Sequence, residues 1–209
     1  RDPAMPKIYR DKNVYEAAME RYDIIYKNFD HIYFSVSGGK DSSIMLQLAA
    51  GAARRTGKKF SILYIDLEAQ YQATIDHVDE LIRCTADVVD AWYWVAMPLS
   101  LRNAASAIRP KWICWDKKQK EKWVRSLPDR EDVIMVTEDS YPEEWTWFRR
   151  GMEFEEFILF FAQWFCTARK GTAAAGIGIR SDESLNRFRT IISSSKERFQ
   201  DYPWTTRVK

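Results

Sequence analysis

Apolar residues recur at helical spacing from Asn13 to Lys27, where Val14, Ala17, Ala18, Tyr22, Ile25 and Tyr26 mark one face of an amphipathic helix. The pattern then changes period. His31 to Val36 is a short β-branched and aromatic run, which predicts a strand, and it opens into the small, polar segment Ser37 to Ser43. Ile44, Met45, Leu46, Leu48, Ala49 and Ala52 predict a helix that ends at Gly57. Ser61 to Asp66 predicts a second buried strand. Thr74 to Cys84 predicts another helix, carrying Ile75, Val78, Leu81 and Ile82, and Val88 to Val95 a third strand.

Between about Arg109 and Met152 the periodicity gives way to Trp-rich, charged sequence containing Pro110, Pro128 and Pro142, an insertion or lid in which Val133 to Val136 predicts one strand. Glu153 to Arg169 then predicts a well-buried helix with a broad aromatic face of Phe154, Phe157, Ile158, Phe161, Trp164 and Phe165. Thr172 to Ile179 predicts a further core strand that delivers Arg180 to its end. Alternation of this kind predicts an α/β fold, Rossmann-like, with a mostly parallel sheet flanked by helices and ligands beyond the carboxyl ends of the strands. Ser37 and Asp66 both fall at that edge.

Composition narrows the field. With 209 residues, 46% of them hydrophobic, the chain has material for one domain over residues 5–209; Arg1 to Ala4, ahead of Met5, read as a cloning remnant. A net charge of +2, from 32 basic and 30 acidic residues, creates no field that by itself selects nucleic acid or an anionic membrane. No apolar run approaches the roughly 20 residues that cross a bilayer and no signal-like segment is present, so a cytoplasmic protein is expected. Cys84, Cys114 and Cys166 suit neither a disulfide framework nor a CxxC metal site, and Cys84 and Cys166 fit helices as small buried residues. Only His31 and His77 are available for a histidine metal centre or a Ser-His-Asp triad.

The chemistry concentrates in Ser37-Gly38-Gly39-Lys40-Asp41-Ser42, where a strand meets a helix. Two glycines there let backbone amides approach an anion, the helix dipole adds attraction, and Lys40 brings a mobile charge. Ser42 and Ser43 either cap the helix or donate to phosphate oxygens. The spacing is not that of a Walker A loop, and the same residues also fit an ordinary glycine turn before a capped helix.

Ser37-Gly38-Gly39-Lys40-Asp41-Ser42 resembles the SGGKDS signature of the PP-loop ATP pyrophosphatase superfamily. Gly178-Ile179-Arg180-Ser181-Asp182-Glu183-Ser184-Leu185-Asn186-Arg187 is similar to the GxRxxES-x-x-R segment of its phosphoadenosine phosphosulfate (PAPS) reductase-like family, and Ile65-Asp66-Leu67-Glu68 is similar to that family's Asp-containing turn. The Trp112 to Arg125 stretch resembles a subgroup that includes the immunoglobulin-binding regulator A proteins. The resemblance implies an adenine nucleotide α-hydrolase-like fold, binding of ATP or PAPS with Mg²⁺, and cleavage of the bond between the α- and β-phosphates of ATP to adenylylate an acceptor. It implies that Gly38, Gly39 and Lys40 hold phosphates, that Ser37 and Ser42 donate hydrogen bonds, and that Asp41 orients the loop or a hydrated Mg²⁺. Arg180 and Arg187, in the same motif as Glu183, either close over the anion or pair with Asp182 and Glu183. Lys40, Asp41 and Arg180 are the candidate catalytic set. Asp66 either reads the ribose or adenine or caps its strand.

Two further readings stay open. PAPS reductases work through a cysteine in a C-terminal Glu-Cys-Gly segment that has no counterpart here, so sulfonucleotide reduction, with a place in sulfur metabolism, would need an external thiol or partner. Cys114, between Trp112 and Trp115, lies in a candidate site-covering loop. The segment from Arg109 to Arg130 holds eight Lys or Arg against three Asp or Glu, interleaved with Trp112, Trp115 and Trp123. It is either a solvated helix over Lys117 to Arg125 with its tryptophans packed down, a nucleotide lid, or a surface for nucleic acid or a protein partner in a nucleotide-dependent regulatory or DNA-associated module.

Overall fold

A computed structural model describes residues 11–103, 108, 110–180, 187–189 and 197–207. Helix α1 (Val14–Asn28) starts at a capping box: the Asn13 side chain accepts from the Glu16 amide at 2.9 Å while Glu16 accepts from the Asn13 amide at 3.1 Å. Its buried tyrosines fix it to the next helix, since the Tyr22 and Tyr26 hydroxyls donate to the carbonyls of Met45 and Ala49. Strand β1 (His31–Val36) leads through the Ser37–Gly39 segment into α2 (Lys40–Thr56), which ends at Gly57 in the left-handed region. β2 (Phe60–Ile65), α3 (Gln72–Thr85) and β3 (Val89–Ala96) follow.

Next comes a small antiparallel ribbon of β4 (Ser100–Arg102) and β5 (Lys111–Ile113), then a 3-10 helix at Lys117–Lys122 and β6 (Ile134–Thr137). Helix α4 (Phe154–Arg169) and β7 (Ala173–Ile177) complete the described elements.

The sheet runs β6-β3-β2-β1-β7 with every pairing parallel. Its two faces are both apolar, which is why the strands read as near-continuous hydrophobic runs. Ile32, Phe34 and Val36 of β1, Phe60, Ile62 and Tyr64 of β2, and Trp92 and Trp94 of β3 pack under α1, α2 and α3. The alternate residues Tyr33, Leu63, Ile65, Tyr93 and Val95 pack against Phe157, Phe161 and Phe165 of α4 and against Trp115 and Trp145 of the 110–152 region. The Trp-rich insertion is therefore an aromatic cluster on the α4 face.

One element is new and two expectations change. The β4–β5 ribbon has no periodic signature in the sequence, because a three-residue strand is shorter than one helical turn and completes only one cycle of strand alternation. A 3-10 helix replaces the helix expected over Lys117 to Arg125: the Asp116 carboxylate accepts from the Lys118 amide, and Gln119 departs from helical angles. Cys84 and Cys166 are exposed, not buried, since α3 turns Val78, Leu81, Ile82 and Thr85 inward and α4 turns Phe157, Phe161 and Phe165 inward.

Candidate functional site

The strand order reverses between β1 and β7: the chain leaves β1 toward β2 and β3 and returns from β6 at the far side of the sheet to lay β7 against β1. In parallel sheets the crevice at such a reversal, beyond the carboxyl ends, is where ligands sit. The turn after β1 is the Ser37–Gly39 segment, and the turn after β7 begins at Gly178. Gly178 rests directly on the start of α2, where a Cβ would lie 3.2 Å from both the Asp41 carbonyl oxygen and Ser42 Cα. Arg180 Nε stands 3.7 Å from Asp41 Oδ2, and Lys40 Nζ stands 3.9 Å from Asp41 Oδ1. Two segments about 140 residues apart thus converge on one carboxylate flanked by two cations.

The loop is tied by its own serines. Gly38 takes φ +74°, and a Cβ there would lie 2.8 Å from Thr74 Cγ2 and 3.0 Å from Val78 Cγ2, so α3 presses against the loop where only glycine fits. The Ser37 and Ser42 hydroxyls are 3.1 Å apart, the Ser37 amide donates to Ser42 Oγ at 3.2 Å, and the Gly39 amide reaches Ser37 Oγ at 3.4 Å. Ser42 Oγ and Ser43 Oγ each donate to the Gly39 carbonyl at 2.9 Å. No side chain caps α2 at Gly39.

Asp66 ends β2 at the same edge, but its carboxylate is fully buried and engaged on both oxygens. Oδ1 accepts from the Glu68 amide at 3.0 Å and pairs with Arg125, while Oδ2 accepts from Trp94 Nε1 at 2.8 Å. Its backbone carbonyl accepts from Trp115 Nε1 at 2.7 Å. Glu68, buried and at φ +64°, receives the Trp115 amide at 2.8 Å and the Val124 amide at 3.2 Å. The Asp66–Glu68 turn is thus the anchor of the 111–125 segment, a role the spacing of the sequence does not reveal because the partners lie 47 to 59 positions away.

Within that segment Trp115 is buried beneath the Arg125 guanidinium and meets Trp123 edge-on, while Lys118, Lys120 and Lys122 face outward. Lys117 pairs with Asp139. Cys114 is fully buried with its thiol directed at the Met97 and Leu99 carbonyls, and burial pushes its pKa up to about 12. A protonated, enclosed thiol is not a nucleophile at neutral pH.

Arg187 is exposed, and Glu183 lies outside the described residues. Among the described residues no three His, Cys, Asp or Glu side chains converge as a metal cluster, and no helix is long and apolar enough to cross a membrane. His77 is a contributor that sequence reading passes over. It sits on the same face of α3 as Thr74 and Val78, with Nε2 at 2.8 Å from Ser43 Oγ. The Thr74, His77, Val78 spacing marks a helix face, but nothing local says that this face meets the loop.

No known family's profile matches the chain. It is 43% identical over 201 residues to a curated Escherichia coli (strain K12) protein, "Uncharacterized protein YbdN". That match covers 96% of this chain and 47% of the relative, so the chain spans about half the length of the curated relative to which it is similar.

Proposed function

We propose that this chain is a PP-loop protein of PAPS-reductase-like type, with an adenine nucleotide α-hydrolase-like sheet, that binds ATP in the crevice between β1 and β7 and cleaves its α–β phosphate bond to adenylylate an acceptor. The carrying observation is the contact of Gly178 and Arg180 with Asp41 and Ser42, which brings the two resembling motifs together at the reversal point of the sheet. In this reading the free amides at the start of α2 meet phosphate oxygens, and Lys40 and Arg180 balance the charge that builds up on them. The acceptor attacks the α-phosphorus, the bond to the bridging oxygen breaks, and pyrophosphate leaves with that electron pair. Asp41, partly exposed beside the loop, suits a Mg²⁺ held by one carboxylate and the nucleotide's own oxygens, where the ion would neutralise phosphate charge. Asp66 acts at one remove, by holding the 111–125 segment against the sheet edge.

Calorimetric titration with ATP and with PAPS, each with and without Mg²⁺, tests the reading. ATP binding that requires Mg²⁺ and is lost in a Lys40→Ala, Asp41→Ala double variant is the expected result; absence of binding by the intact chain would sink it. The enclosed thiol of Cys114 favours an external thiol if the nucleotide proves to be PAPS, and sulfite release that depends on added thiol would then replace pyrophosphate release as the activity.

A further inference from the structure

A second layer of residues stands behind the phosphate loop. The Gly39 carbonyl, at the cap of α2, accepts from the Ser43 amide at 3.0 Å and from the hydroxyls of Ser42 and Ser43, both at 2.9 Å. Because the Gly39–Lys40 peptide is planar and trans, turning its carbonyl into the helix aims the Lys40 N–H the opposite way, out of the helix's N-terminal end. Whatever holds that carbonyl therefore holds the amide.

The Ser43 hydroxyl has its own support. His77 Nε2 lies 2.8 Å from Ser43 Oγ, and the Ser43 proton is already directed at Gly39. With that proton on the Gly39 carbonyl, the oxygen is left to accept, an arrangement that the Nε2–H tautomer of His77 completes. This gives a chain from His77 through Ser43 to the Gly39 carbonyl. The same face of α3 supplies Thr74 and Val78, which back Gly38. Glu80 stands on the other side of the ring, its Oε2 3.9 Å from Nδ1, beyond hydrogen-bond reach. With the Ser43 hydroxyl buried and turned to the Gly39 carbonyl, the pair serves as a tether.

We propose that His77 is a positioning residue of the phosphate loop, acting through Ser43 on the Gly39 carbonyl so that the Lys40 amide is held ready for a nucleotide phosphate. The inference rests on the phosphate-binding reading of the loop. Loss of one such hydrogen bond should raise the dissociation constant for Mg²⁺-ATP about 3- to 10-fold in Ser43→Ala and in His77→Phe. The double variant should be no weaker than the weaker single one, since both cut the same chain. His77→Gln, whose amide nitrogen can stand in for Nε2, should return the affinity to within about 2-fold of the starting value. Circular dichroism establishes that each variant is folded.

A nitrogen-15 spectrum of the histidine rings in nucleotide-free protein reads the tether independently. Only His31 and His77 contribute, so His77→Gln assigns the signals. The expected result is the Nε2–H tautomer of His77, with Gly39 and Lys40 amide shifts that move in His77→Phe and stay in His77→Gln. A hydrogen on Nδ1, full additivity of the two substitutions, or unchanged affinity in folded His77→Phe would overturn the proposal. If the intact chain binds neither nucleotide, the proposed function fails, and the tether stands or falls on the ring tautomer and the amide shifts.

Discussion

Gly38 shows how much a single position can carry. Its φ of +74° is costly for any side chain, and its Cα hydrogen faces Thr74 and Val78 of α3 at a separation that leaves no room for a methyl group. Gly38→Ala should cost about 1–2 kcal/mol from the backbone angle alone. It should also push the loop off α3, so a thermal melt should fall by several degrees and ATP binding should weaken together. Cys114 makes the opposite point. Its thiol pKa is raised from 9.0 to about 12 by burial, so above about pH 9 the unfolded chain releases this proton while the folded chain keeps it. Stability should therefore fall as pH rises between about 9 and 12, and the loss should be smaller in Cys114→Ala, measured by urea denaturation across that range. In native protein at neutral pH, thiol reagents should label the exposed Cys84 and Cys166 before Cys114. The glycine's importance is legible in the sequence because turn chemistry is local. The enclosure of Cys114 is not, because it depends on carbonyls of residues 97 and 99 that a short ribbon brings over it.

At the scale of elements, the turn after β2 and the 111–125 segment form one unit. Asp66 and Glu68 present buried carboxylates, which the 111–125 segment satisfies with the Arg125 guanidinium and two backbone amides, while the Trp115 indole donates to the Asp66 backbone carbonyl. Removing one partner of a buried pair strands a charge, which costs about 3–5 kcal/mol. Arg125→Met should show a loss of that order in chemical denaturation, and combining it with Asp66→Asn should recover part of it. If the 111–125 segment were held by its aromatic packing alone, Arg125→Met would be close to neutral. The strong periodic elements, α1 to α4 and the five sheet strands, are legible in the sequence to within a few residues. Apart from β6, the 97–150 region is not, because its order comes from contacts with β2 and β3 and not from a repeating pattern of its own.

For the whole molecule, the decisive arrangement is β7 alongside β1. Gly176 makes it possible, since a Cβ there would lie 2.2 Å from the ring of Phe34, and Gly178 brings the following turn onto the start of α2. Gly178→Val places branched carbons against the Asp41 carbonyl and should lever the two segments apart. The expected result is at least a 10-fold loss of ATP affinity with a melting temperature lowered by only a few degrees, because the substituted residue lies beyond the end of the strand. Equal losses of affinity and of global stability would mean that the crevice and the sheet form a single cooperative unit.

The sequence by itself determined the alternation of strands and helices, the two apolar faces of the sheet and the glycine turn at the head of α2, because each depends on burial periodicity or on backbone angles within a few residues. Only the tertiary structure decided that β7 pairs with β1 instead of β6, that Asp66 faces Arg125 and Trp94 in the interior, and that His77 reaches Ser43. Those choices rest on shape and charge complementarity between residues 28 to 142 positions apart, for which a linear pattern holds no signal.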